Sequence, residues 1–111
     1  MTRWILMVPA LVAGAAAAIA AVPPAQQDGA ELYRRNCAVC HGKIGMGTGV
    51  LARRVDPAIL AERTDLEAEF VIQAARTGIG NMPAISRAEV NEAELKAIAA
   101  YLATPPASRP R

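Results

Sequence analysis

Histidine occurs once in this 111-residue chain, cysteine twice, and aromatic residues make up only 4% of it. The two cysteines, Cys37 and Cys40, stand three positions apart. A bridge between them would close a tiny loop and staple nothing, which excludes the disulfide framework common in small exported domains. A structural zinc site normally takes four cysteine or histidine ligands, and this chain would have to add a carboxylate to reach that number. A thioredoxin-like dithiol needs a βαβ surround, and no convincing alternating strand pattern appears. Nor is there a repeat, and the glycines do not follow a predicted strand, so neither a phosphate-cradling loop nor a nucleic-acid role is read. A short chain poor in aromatics is marginal as a self-sufficient fold. Something else must supply the missing core, and a large apolar cofactor would do so.

Much of the 53% hydrophobic content lies in one early run, WILMVPALVAGAAAAIAAV, residues 4 to 22. It carries no charge, follows Arg3, and offers Ala18-Ile19-Ala20 as an A-x-A cleavage site. Residues 1–20 therefore read as a secretory signal peptide. The rival reading is a retained membrane anchor, although eight alanines, Gly14 and Pro9 dilute the run. No cysteine lies near the junction, so no lipoprotein is made; either way the domain is exported. Residues 21–27 read as a linker, 28–103 as the domain and 104–111 as a disordered tail.

Within the domain the periodicity is helical. Asp28 can cap a helix running through GAELYRRNCAVCH, with Glu31 near its positive end. The four glycines of GKIGMGTG, residues 42–49, predict a loop. Thr64 and Glu67 have the spacing of a capping box, and Gly78 sits where a second helix would stop. On that helix Leu66, Phe70, Ala74 and Thr77 would share one face. Asn91 and Glu94 open a third helix, with Leu95, Ile98 and Leu102 on its buried side, ending before Pro105-Pro106. The fold class is all-α.

Every cysteine and the single histidine fall in CAVCHG, residues 37–42. Cys-x-x-Cys-His is what c-type haem attachment requires. Thiols at i and i+3 lie close enough on one helical turn to form thioethers to two vinyl groups of one porphyrin. The next residue, His41, then projects its imidazole to the iron from the same side.

With these residues the sequence resembles a small mono-haem class I cytochrome c over residues 28–103. The likeness is carried by Gly29 and Tyr33, CAVCHG, the glycine-rich segment, GNMP at 80–83 and AELKAIAAYL at 93–102. It implies three or more helices wrapped around one covalently bound haem c, with the first and last helices crossing so that Gly29 packs near Tyr101. A Gly-Pro pair usually follows the histidine and orients it; the only proline in reach here is Pro57.

A second histidine being absent, bis-His ligation is impossible. Beyond the leader two methionines remain. Met46, five residues past His41, is poorly placed to reach the opposite face of the porphyrin. Met82 has a whole helix of travel behind it and a turn shaped by Gly80 and Pro83. Met82 is assigned as the distal ligand; the alternative is an ordinary core filler.

The implied function is one-electron transfer through a His/Met-ligated iron in the periplasm, not catalysis. The expected partners are an exported dehydrogenase as donor and another cytochrome or terminal oxidase as acceptor. Membrane association follows only if the leader is retained. Alternatively the chain is the cytochrome subunit of a flavin- or quinone-dependent dehydrogenase, some of whose cytochromes the tract LARRVDPAIL to GNMPAISRAEV resembles. A haem enzyme or gas sensor with an open iron is the third reading. Residues 32–55 hold five cations and no acid, whereas residues 56–94 are net −5. The basic segment is read either as a solvated face or as a steering patch for an acidic partner.

Overall fold

Helix Gly29–Asn36 (α1) starts where the Asp28 carboxylate accepts hydrogen bonds from the Ala30 and Glu31 backbone N–H groups, at 3.0 and 3.2 Å. The computed structural model describes residues 27–109, so the leader and nearly all of the expected linker lie outside the described residues. After α1 come Ala38–His41 (α2), Met46–Leu51 (α3), Ala68–Thr77 (α4) and Glu92–Ala103 (α5), with short 3-10 turns at Leu60–Glu62 and Pro106–Ser108. The described residues contain no strand, only an isolated bridge between Ile79 and Met82. The all-α class stands.

Helix α5 organises the core. Asn91 and Glu94 form the expected reciprocal capping box, with both bonds at 2.9 Å. Leu95, Ile98 and Leu102 are buried, and the last two are almost wholly enclosed. Burying side chains of this size is worth roughly 1.5–3 kcal/mol each. Tyr33, Leu66, Ala75 and Val90 complete the cluster.

Both α1 and α4 pack against α5. At the α1–α5 crossing a β-carbon on Gly29 would run into the Ala97 carbonyl and stand 2.9 Å from Tyr101 Cβ. Only glycine permits so close an approach. One turn on, the Tyr33 and Tyr101 rings stack tilted at 5.6 Å, so the expected contact of Gly29 with Tyr101 is present.

Four local expectations are corrected. The first helix is interrupted at Cys37, whose backbone (φ −122°) leaves helical geometry before α2 resumes. The glycine-rich loop is shorter than read, because Met46–Leu51 is helical; Thr48 Oγ1 donates to the Gly42 carbonyl at 2.7 Å and pins that turn. No capping box forms at Thr64: Leu66 is drawn into the core, the chain stays extended to Glu67, and Glu67 caps α4 without a side-chain bond. In consequence Leu66 precedes the helix, Ala75 is its buried residue, and Thr77 is exposed with its hydroxyl turned back to the Gln73 carbonyl.

The tail is the fourth. It is ordered as far as Arg109, whose guanidinium lies 4.3 Å over the Tyr101 ring and donates to the carbonyls of Ala61, Tyr101 and Thr104. A run of prolines concealed this, since the holding residue follows them. Among the described residues no helix is long and apolar enough to cross a membrane.

Candidate functional site

A cavity of about 350 Å³ runs along one side of the core, bounded by Cys37, Cys40 and His41 at one wall and by Met82 and Ile85 among others. Core residues Leu66, Ala75, Val90, Leu95, Ile98 and Leu102 also border it. The core is therefore one-sided: its inner face looks onto the cavity rather than onto another layer of side chains.

The two ends of the site are built differently. On the attachment side, the Cys37 carbonyl accepts from Cys40 N–H at 3.1 Å and His41 N–H at 2.9 Å, which winds the three residues into one turn. Tyr33 Oη donates to the His41 carbonyl at 3.1 Å and ties that turn to α1. Burial, reinforced by neighbouring Cys40, pushes the Cys37 thiol up to about 11; burial, reinforced by Cys37 and Tyr101, pushes the Tyr33 hydroxyl up to about 12. Burial also lowers the His41 pKa, favouring the neutral imidazole whose lone pair can bind a metal. Its Nδ1 is enclosed and, among the described residues, has no hydrogen-bond partner. Pro57 does not border the cavity, so the expected proline carbonyl does not meet this imidazole. Gly47 lies against the ring instead; a β-carbon there would stand 3.0 Å from Cε1.

On the far side, Met82 sits in a tight turn after α4. Ile79 and Met82 exchange backbone hydrogen bonds of 3.1 and 2.9 Å. The turn needs Gly78 and Gly80 at φ +74° and +56°, in the region that other residues rarely adopt. Ile85 N–H donates to the Ala75 carbonyl at 2.7 Å, and the mostly buried Arg76 donates to Ile85 and Val90 carbonyls at 3.0 and 2.9 Å. These bonds fasten the methionine segment to α4. Met46 lies outside the cavity and is 78% exposed.

Cys37, Cys40, His41 and Met82, singled out in the sequence, thus line one cavity. Others were missed. Phe70 and Ile79 border the cavity while more than half exposed, at 53% and 56%. Arg63 also borders it, its side chain mostly buried and held by Asp65 in two hydrogen bonds of 2.8 and 2.7 Å. In the sequence Arg63 looked like one more charge in an acidic tract. Its proximity to a predicted helix start gave no hint that it faces inward.

A porphyrin would fit these residues. The lining is overwhelmingly apolar, two thiols and an imidazole stand at one wall, and a cation is available for the macrocycle's carboxylates. An all-α fold with a Cys-x-x-Cys-His turn against such a cavity defines a c-type cytochrome. The family model described as cytochrome C oxidase, cbb3-type, subunit III matches residues 24–102, and the chain belongs to that family. A curated relative, the cytochrome bc1 complex cytochrome c subunit of Corynebacterium diphtheriae, is 37% identical over 78 residues. The match covers 67% of this chain and 25% of that protein, so the chain spans about a quarter of the relative's length. No solved structure matches. The chain is a c-type cytochrome domain, and membership of this family implies covalently bound haem c with iron.

Proposed function

We propose that the domain is an exported single-haem electron carrier of the periplasm. In this reading Cys37 and Cys40 hold the haem through thioethers, His41 is the proximal ligand and Met82 the distal one. The observation that carries it is the meeting of all four side chains at one apolar cavity, with Met82 arriving on a separate, independently braced turn. Bound haem supplies a single iron that alternates between ferric and ferrous states.

The chain's own residues tune that process. Burial favours the neutral His41 imidazole, and Tyr33 fixes its backbone. An uncharged thioether and an apolar wall favour the less charged ferrous form and raise the potential. Arg63, at the cavity wall with its guanidinium held by Asp65, would be available to a haem carboxylate. Held between His41 and Met82, a haem iron would be closed to substrate.

Carbon monoxide added to the ferrous holoprotein tests this. Failure to bind supports six-coordinate electron transfer; ready binding at neutral pH would point to a haem enzyme or gas sensor with an open iron.

A second reading rests on the relative, whose printed name makes it a subunit of a complex and whose length is about four times the matched part. Here the domain works inside an assembly, either a respiratory complex or an exported flavin- or quinone-dependent dehydrogenase. Native electrophoresis of detergent extracts with haem staining separates the two: a free carrier migrates alone, a subunit with a larger partner.

A further inference from the structure

We infer that Arg76, which does not border the haem cavity, is the positioning residue that keeps Met82 at the iron and foreign ligands off it. The inference rests on the His41/Met82 reading above and adds which side chain governs how readily the methionine lets go.

The segment between α4 and α5 has little of its own to hold it. From Ile79 to Val90 only Met82, Ile85 and Val90 are turned away from solvent. Backbone bonds close the Ile79–Met82 turn, and a second turn forms where the Glu89 and Val90 N–H groups donate to the Ser86 carbonyl at 3.2 and 3.1 Å. Each turn is local, so neither fixes the segment's place relative to the cavity. Besides the Val90 side chain in the core and the Ile85 N–H on the Ala75 carbonyl, the fastening comes from Arg76.

Its guanidinium is a fork that straddles the second turn: Nη1 donates to the Ile85 carbonyl and Nη2 to the Val90 carbonyl. Nη2 also lies 3.3 Å from Oε1 of Glu92, the first residue of α5. One side chain in the last turn of α4 thus holds the segment at two points beyond Met82 and joins it to the start of α5. Glu92 in turn pairs with the exposed Arg87 at 2.7 Å.

The Arg76 side chain is only 11% exposed, and its Nε is enclosed with, among the described residues, no partner. A charge so far desolvated depends on the groups that pair with it, and its removal would strand two carbonyls without donors. Those carbonyls are five residues apart, a span suited to a planar fork rather than to the compact ammonium of lysine. Before Met82 the chain can pivot at Gly78 and Gly80, both at positive φ; after it, the Arg76 bonds hold. Releasing the held end lets the methionine swing away about the glycines. A neutral imidazole nitrogen can then donate its lone pair to the iron where the neutral thioether has left, and no electron changes hands.

Imidazole titration of the full-length ferric holoprotein tests this, followed by loss of the weak far-red band of sulfur-to-iron ligation. Arg76→Gln keeps the band in buffer but binds imidazole about 10-fold more tightly than the native protein, the factor expected for losing a hydrogen bond to a charged group. Arg76→Lys stays within about 3-fold of Arg76→Gln, because charge without the fork does not restore the hold. Arg109→Gln, a scaffold change, lowers the thermal midpoint and leaves the imidazole affinity unchanged. If Arg76→Gln does not fold around haem, Glu92→Gln decides, with a gain of about 3-fold that Arg87→Gln does not share. An equal gain in Arg109→Gln, or full recovery in Arg76→Lys, overturns the proposal, since general loosening or charge alone would then explain the effect. So does an unchanged affinity in Arg76→Gln, or in Glu92→Gln where that variant decides, while the native protein shows the band. A native protein without the band overturns the His41/Met82 reading itself, and this inference with it.

Discussion

Helix α5 buries Leu95, Ala97, Ile98, Ala99 and Leu102, whereas the chemistry-bearing helices α2 and α3 together bury one residue, Thr48. The first is held by apolar contact, and it reads as a helix from periodicity alone. The second pair is held by hydrogen bonds and close backbone approaches: Tyr33 to the His41 carbonyl, Thr48 to the Gly42 carbonyl, and Gly45 pressed on Cys40. Scaffold and attachment site are thus stabilised by different physics. The attachment site leans on its tether, because it buries so little of its own.

The largest effect expected from breaking this division is at the tether. Cys37→Ala/Cys40→Ala should abolish covalent haem, seen as complete loss of haem stain on a denaturing gel, together with loss of helical signal in far-ultraviolet circular dichroism. Survival of stain in the double variant would disprove the assignment.

The two methionines sharpen the comparison next. Met82→Ala should leave haem attached but remove the weak far-red band of sulfur-to-iron ligation and lower the potential, while Met46→Ala should leave both unchanged. Loss of the band in Met46→Ala would exchange their roles.

On the scaffold side, Gly29→Ala forces a methyl group against the Ala97 carbonyl and should cost about 1–3 kcal/mol. Thermal unfolding of the ferric holoprotein should show a lowered midpoint with an unchanged spectrum, since Gly29, Ala97 and Tyr101 do not border the cavity.

Smallest is Tyr33→Phe, which removes the hydroxyl bond to His41 and should cost on the order of 1 kcal/mol. It also changes the pH profile. The folded Tyr33 pKa, raised to about 12 by burial, lies above the ordinary value of 10. The unfolded chain therefore releases this proton first, and its contribution to stability, intact below about pH 10, is lost as pH rises toward 12. Denaturant titrations between those values should show a steeper decline for the native protein than for Tyr33→Phe.

Legibility followed the same division. Cys-x-x-Cys-His is readable because every position has its own job and the spacing is fixed by one turn. The Asn91–Glu94 box and the Leu95, Ile98, Leu102 stripe are readable because the helix they open is buried along one face. The Thr64–Glu67 pair misled because a capping box has value only if the helix begins there, and burial of Leu66 delayed α4. Glycine content hid α3, whose turn is pinned by Thr48 rather than by propensity. Arg63 and Arg109 were invisible as site and scaffold residues, since a guanidinium's partners are carbonyls and carboxylates supplied by the tertiary fold.

The cavity also dictates an order of events. Without haem, the inner face of the core looks onto a cavity of about 350 Å³ with no layer of side chains packed on it, and the burial that a complete core would supply is forfeited. A chain without haem therefore gains little by closing up, and stays open to the apparatus that forms the thioethers. Once they have formed, the porphyrin fills the void and cannot leave, so maturation runs in one direction. Chains that miss this step should be less stable and more open to proteases, which limited proteolysis of haem-free protein would show. The half-built core thereby acts as a checkpoint, so that only molecules able to carry an electron persist.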